Sequence, residues 1–405
     1  MNVGQRWTIC AAAFLLVFGS AGSVLAASVS GRSSTEIEWF DNAQGDTALP
    51  VYQYLQLNVR DMGIEGLNFR GYGRLATDLN DEVDAESRLY YGYLEKRNVI
   101  KNLDIKLGRQ FISSAAGASL MDGLYLDYNN IGPLKLSLFA GGDVAYYSGY
   151  NAEDMIGGIK LSGVFLNKDL NLGLSYLQRW SDSELANEMF GLDVDYNVSN
   201  QLNLYSEVQF DYLANSVSYL LAGGNYHPAE PLSLRAEYLY SLPVFSSTSI
   251  YSVFAVSKYE EVMAEVSYKL APGLRTFGSY RIEMSEEFKN AGVVEAGIEK
   301  IRTDRFSGYL SGVWRDDPDG QDLKGFKVRG AYLFNKYLQA GAGAEVNVLE
   351  RRLETESDDT TSSRYWIDAT TYITKKINVV AKVESVESAL WDSYYRGRVR
   401  LNVLF

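Results

Sequence analysis

Polar and apolar positions alternate along this chain from about residue 32 to the last residue, and that pattern predicts strands throughout. In the final stretch Tyr395, Gly397, Val399, Leu401, Val403 and Phe405 share one phase, while Arg396, Arg398, Arg400 and Asn402 hold the other. The same period separates Leu232, Leu234, Ala236, Tyr238 and Tyr240 from Ser233, Arg235 and Glu237, and Leu338, Ala340, Ala342, Ala344, Val346 and Val348 from Gln339, Glu345 and Asn347. A period of two sends successive side chains to opposite faces of a strand, so each strand has one apolar and one polar face. The runs are about 10–13 residues long. That exceeds the usual soluble strand and matches the span a tilted strand needs to cross a bilayer. The polar face carries too many charges of both signs to pack into a dry core. The pattern therefore places the apolar face outward in lipid and the charged face inward on water.

The fold class so predicted is all-β: a transmembrane antiparallel up-and-down β-barrel of about 22 strands, within a range of roughly 18–22. The connections separate into two alternating sets. Short ones include residues 62–65, 129–133, 166–169 and 271–273, Asn335-Lys336 and Lys375-Lys376; longer, often acidic ones cover residues 41–49, 78–86, 143–154, 316–322 and 353–363. An even strand number brings both termini to the end with the short turns. Residues 243–258 form the longest connection and are rich in apolar side chains, among them Phe245, Ile250, Tyr251 and Phe254, which suits a segment folded into the lumen, set against another protein, or belonging to a strand extended above the membrane.

Residues 1–27 read as a secretory signal peptide. Arg6 precedes an apolar run from Thr8 to Phe18, and Val24-Leu25-Ala26-Ala27 supplies small residues for cleavage. The barrel then covers residues 28–405. Only Cys10 is present in the whole chain, inside that leader, so no disulfide can form within the chain. A net charge of -13 argues against a nucleic-acid surface. One histidine, His227, lies beside Pro228 at an expected turn, which disfavours histidine-based catalysis and Cys/His metal sites.

The terminal strand, ending in Leu404-Phe405 with apolar or aromatic residues at alternate positions back to Tyr395, resembles the closing strand of Gram-negative outer-membrane β-barrel proteins of the porin type. The resemblance covers about residues 28–405 and rests on the leader, the unbroken alternation and the terminal Phe together. It implies a cell outer-membrane location, export by the leader, and insertion by the barrel-assembly machinery reading Tyr395, Val403 and Phe405. It further implies a non-enzymatic, porin-like channel for passive passage of small hydrophilic or charged solutes, set in lipid and lipopolysaccharide, with no cofactor and no metal. An alternative is a porin-like sheath around a periplasmic partner, such as a multihaem cytochrome in a trans-outer-membrane electron conduit. The chain has no Cys-x-x-Cys-His, so any haem there would belong to the partner.

Alternation also nominates the lumen wall. Arg70, Arg74, Arg88, Lys106, Arg235, Arg329, Arg396, Arg398 and Arg400 are the basic candidates, and Asp193, Asp195 and Glu207 the acidic ones. Two readings stand side by side: a transverse field that orients permeating solutes, or a charge ladder that keeps the wall wet. Tyr176, Tyr238, Tyr240 and Tyr332 fall on the lipid face near strand ends, as interfacial girdles require. Tyr72, Tyr90, Tyr205 and Tyr372 face the lumen.

Overall fold

The computed structural model describes residues 28–42, 44–144, 153–243, 258–286, 288–318, 321–353, 356–388 and 391–405. Twenty-two antiparallel strands run in chain order: β1 (Ser28–Asp41), β2 (Pro50–Arg60), β3 (Leu67–Asp78), β4 (Arg88–Ile100), β5 (Leu103–Ser114), β6 (Gly117–Ile131), β7 (Leu134–Asp143), β8 (Met155–Phe165), β9 (Leu170–Ser181), β10 (Glu184–Asn197), β11 (Leu202–Asp211), β12 (Ser216–Ala229), β13 (Leu232–Ser241), β14 (Tyr259–Ala271), β15 (Leu274–Ser285), β16 (Ala291–Lys300), β17 (Phe306–Asp316), β18 (Gln321–Asn335), β19 (Leu338–Leu353), β20 (Glu356–Tyr372), β21 (Ile377–Ser388) and β22 (Trp391–Leu404). Each pairs with the next, and a two-residue strand, Thr47–Ala48, extends the first connection. Strand β1 also pairs with β22, from Arg32 opposite Leu404 to Phe40 opposite Arg396, so the sheet closes on itself and leaves no edge. The fold is the all-β, 22-strand, up-and-down barrel that the alternation predicts.

Register carries the apolar phase around the wall. Leu138 stands opposite Ile159, Leu174 opposite Leu192, Leu192 opposite Val208, Leu234 opposite Val266, Ile298 opposite Leu310, Ile367 opposite Val383 and Ile37 opposite Val399. Most of these side chains are exposed on the outer surface, where they form a continuous apolar band. Aromatic rings mark its margins. The Tyr238 hydroxyl donates to Glu260 at 2.8 Å, and the Tyr176 hydroxyl to Glu188, near one end of the barrel. Tyr332, Phe334 and Tyr337 are exposed near the other. A ring in lipid with its hydroxyl on a rim carboxylate is the girdle arrangement.

Two contacts lock the closing seam. A Cβ on Gly397 would overlap Cζ2 of Trp39, so only glycine lets the indole lie flat across β1 and β22. The Phe405 N–H donates to the Gly31 carbonyl at 3.1 Å, the Gly31 N–H returns a bond to the Phe405 carbonyl at 3.0 Å, and the Phe405 ring covers Gly31.

Ser28 and Phe405 lie at one end, and the connections there are tight: Lys101-Asn102, Gly132-Pro133, Glu230-Pro231, Pro272-Gly273 and Lys336-Tyr337. Asn102 and Gly273 adopt the left-handed backbone that such turns need. The opposite end holds the long connections, 42–49 and 79–87 among them, yet not every connection there is long. Strands β5 and β6 are joined by Ala115-Ala116 alone, and β9 and β10 by Asp182-Ser183. The stretch 353–363, expected as an acidic loop, belongs mostly to β20, which begins at Glu356 and spans 17 residues. Residues 1–27, read as the leader, and most of the apolar 243–258 connection lie outside the described residues.

Candidate functional site: the charged lumen

The inner face is built by the polar phase of every strand. The structure's one cluster of buried apolar residues among those described also lies inside. It comprises Ile112, Ala116, Met121, Phe139, Ile156, Leu177 and Met189. It exists because the β5–β6 hairpin leans inward and lays Ile112 and Met121 against Phe139 of β7, Ile156 of β8, Leu177 of β9 and Met189 of β10. Lumen-side groups pin its tip. The Ala116 N–H donates to Ser175 Oγ at 2.9 Å, Gln209 Nε2 donates to the Ala115 carbonyl at 3.4 Å, and Arg179 donates to the Ala118 carbonyl. A Cβ on Gly191 would overlap both the Ala116 nitrogen and the Ala115 carbonyl carbon, so the hairpin backbone rests directly on that glycine. The hairpin narrows the lumen from the β7–β11 side.

The seam side is basic. Strand pairing joins β22 through β1 and β2 to β3, and so brings Arg396, Arg398 and Arg400 beside the wall that carries Arg70 and Arg74. The arginines differ in how far they are neutralised. Arg396 is 2.6 Å from Glu384, which also binds Lys382. Arg400 Nε is 3.5 Å from Glu36 Oε2, an ion pair without a hydrogen bond, and its guanidinium lies 4.8 Å from the Tyr54 ring centroid. Arg74 lies 4.9 Å from the Tyr52 centroid and donates to the Glu86 carbonyl at 2.9 Å. Among the described residues, Arg32, Arg74, Arg364 and Arg398 have no carboxylate within 4 Å. Arg32 instead donates to Asn402 Oδ1 at 2.5 Å and to Ser34 Oγ at 3.1 Å.

Tyrosines pave the same wall. Tyr72 stacks on Tyr90 with centroids 4.7 Å apart and on Tyr54 at 6.4 Å, and Tyr91 accepts a hydrogen bond from Gln56 at 3.0 Å.

The other basic candidates are paired. Arg329 donates to both carboxylate oxygens of Asp368, the shortest bond at 2.7 Å. Lys106 is 3.5 Å from Asp127, Arg88 is 3.0 Å from Glu86, Arg70 is 3.7 Å from Glu95, and Arg235 is 2.6 Å from Glu237, with Tyr205 alongside. For these five the wet-ladder reading fits better than the field reading.

Half-way round the barrel in strand order the balance reverses. Asp193 of β10 stands directly opposite Glu207 of β11, and Asp195 opposite Tyr205. None of the three carboxylates has a basic partner within 4 Å among the described residues. Among the described residues, Asp195 accepts from Asn203 Nδ2 at 3.2 Å. Like charges opposite one another destabilise a sheet, so their placement here is a cost the fold carries. His227 is exposed near the end of β12, and its backbone N–H donates to the Gln201 carbonyl at 2.7 Å.

Sequence reasoning missed Arg32, Glu36, Arg364, Lys382 and Glu384. Arg32 and Glu36 share the inward phase of β1 with Ser34 and Glu38, so strict alternation would have found them. Arg364 adjoins a stretch read as loop.

No protein-family model matches the chain, and no curated protein matches it. Solved structures do. Pseudomonas aeruginosa OpdQ superposes with a TM-score of 0.50 over 94% of this chain and 99% of its own, at 11% identity. Pseudomonas aeruginosa OccK3 (OpdO) gives 0.47 over 93% and 96%, at 13% identity. The likeness to OpdQ bears on the fold alone, a closed antiparallel β-barrel.

Proposed function

We propose that this protein is an outer-membrane channel through which small hydrophilic or charged solutes pass passively, with the end that holds Ser28 and Phe405 facing the periplasm. The observation that carries this reading is the transverse charge separation inside a closed, apolar-jacketed barrel. Arg32, Arg74, Arg364 and Arg398 lack carboxylate partners on the seam side, and Asp193, Asp195 and Glu207 lack basic partners on the far side, among the described residues. Unneutralised charge facing a lumen is stable only where water solvates it, so both walls require a wet interior. A low-dielectric wall lined with one sign of charge focuses the field into that water, so an anion follows the arginine wall and a cation the carboxylate wall. The inward β5–β6 hairpin limits the size of what passes. A sheath for a folded partner would need that volume empty, so this hairpin counts against the sheath reading.

The test is conductance. Purified protein added to a planar bilayer should give discrete, ohmic current steps, and liposomes containing it should swell in small osmolytes. Correctly folded protein that inserts and never conducts would contradict the proposal.

A further inference from the structure

Strand β22 divides two cavities in the lumen wall. One, of about 290 Å³, lies on the β1–β4 side and is lined by Arg32, Arg400, Gln56 and the rings of Tyr54, Tyr72 and Tyr91. The other, of about 430 Å³, lies on the β17–β21 side. Its cations are Lys327, Arg329, Arg364, Lys382 and Arg398, against two carboxylates, Glu345 and Asp368. Both carboxylates are occupied: Asp368 by Arg329, and Glu345 by Lys327 at 3.7 Å. Each cavity therefore retains positive charge. In the first it is Arg32, which no carboxylate among the described residues approaches within 4 Å, with Arg400 only loosely held by Glu36. In the second it is Arg364 and Arg398.

The two cavities are coupled by the strand between them. Arg398 and Arg400 are two residues apart on one face of β22, hence about 7 Å apart along the strand, twice its rise per residue. Arg398 opens on the larger cavity and Arg400 on the smaller. Glu38, the register partner of Arg398, attracts that guanidinium across the strand pair but makes no ion pair within 4 Å among the described residues. The donor set is one-sided. Guanidinium and ammonium groups donate and do not accept, which suits anionic oxygens and not the mixed donors and acceptors of a neutral sugar.

On the channel reading above, we propose that these cavities form one bipartite site for an extended organic dianion, with one anionic group in each cavity and the body of the molecule across β22. The anionic ends are carboxylates or phosphate-type groups, since either accepts a guanidinium fork. Engaging both stations at once makes the second contact intramolecular, so a dianion of matching length binds far more tightly than a monoanion.

The experiment is block of the potassium chloride current through single channels by added anions. Propionate is the monoanion, straight-chain dicarboxylates of four to seven carbons form one series, and the corresponding bisphosphonates form the other. The expected result is at least a tenfold lower blocking concentration for the best dianion than for propionate, in either series, with an optimum at one chain length. Arg32→Gln and Arg364→Gln should each erase most of that advantage. Propionate block should survive each of them, because the other cavity remains. The control is Lys269→Gln, which removes a charge paired with Glu230 at the end that holds Ser28 and Phe405 and away from both cavities; it should leave dianion block unchanged. A barrel that conducts with the expected selectivity yet shows no dianion preference overturns this inference alone. A barrel that never conducts overturns the channel reading and this inference with it.

Discussion

Arg396 and Arg398 face the same lumen two residues apart, yet their charges count differently. Glu384 neutralises Arg396 at 2.6 Å, whereas Arg398 has no carboxylate within 4 Å among the described residues. Arg398→Gln should therefore shift ion preference toward cations, measured as a reversal potential across a salt gradient, and Arg396→Gln should shift it less. Equal shifts would mean that local pairing does not set the field. Facing matters as much as pairing. Leu234 is exposed on the lipid side, and Leu234→Arg should cost about 2–4 kcal/mol near the bilayer midplane. Its neighbour Arg235 is itself exposed to lumen water while it pairs with the more covered Glu237, and Arg235→Gln, which keeps a donor beside that carboxylate, should cost about 0–1 kcal/mol. Unfolding in urea from detergent micelles measures both, and comparable losses would overturn the assignment of faces.

At the scale of elements, the β5–β6 hairpin is the part least visible in the sequence. Ile112, Met121, Ile156 and Leu177 share the inward phase of their strands with Gln110, Asp127, Lys160 and Ser175, so alternation turns them to the lumen, but it does not say that they pack on one another there. Only contact between distant strands shows that. The signal that is present is local: Ser113-Ser114-Ala115-Ala116-Gly117 is a run of small residues at the end where the longer connections fall. Gly191→Leu would drive a side chain into the Ala115–Ala116 backbone and lift the hairpin off the wall. Leu177→Ala removes its main apolar support, at a cost of about 2–5 kcal/mol. Both variants should give larger single-channel conductance than the wild type, and unchanged steps would show that the hairpin does not border the conducting path. The terminal strand shows the opposite case, since its faces and its pairing with β1 follow from alternation and an even strand count. Phe405 also has a structural task there, because its ring covers Gly31 and its backbone completes the seam. Deleting Phe405 should lower the yield of assembled barrel in outer-membrane fractions, and Phe405→Tyr, which keeps the ring, should restore it. Wild-type assembly of the deletion would remove both roles.

For the whole molecule, the class, the strand number and the polarity of each face are legible in the sequence, because a period of two is imposed on every strand by the same two solvents. Charge pairing is not, since it depends on which inward residues meet across strands. In the sequence Arg329 and Arg235 look like the equals of Arg398, and only the positions of Asp368 and Glu237 set them apart. The central claim is that a water-filled lumen carries opposed walls of unneutralised charge, basic at the β22–β3 seam and acidic at β10–β11. Reversal potentials across a potassium chloride gradient test it most directly, comparing wild type with Arg32→Gln/Arg364→Gln/Arg398→Gln and with Asp193→Asn/Asp195→Asn/Glu207→Gln. At about 0.1 M salt the Debye length is about 10 Å, so wall charges still act on ions beside them. The basic-wall variant should move selectivity toward cations and the acidic-wall variant toward anions, with conductance retained in both. Conducting variants whose reversal potentials match the wild type would contradict the account.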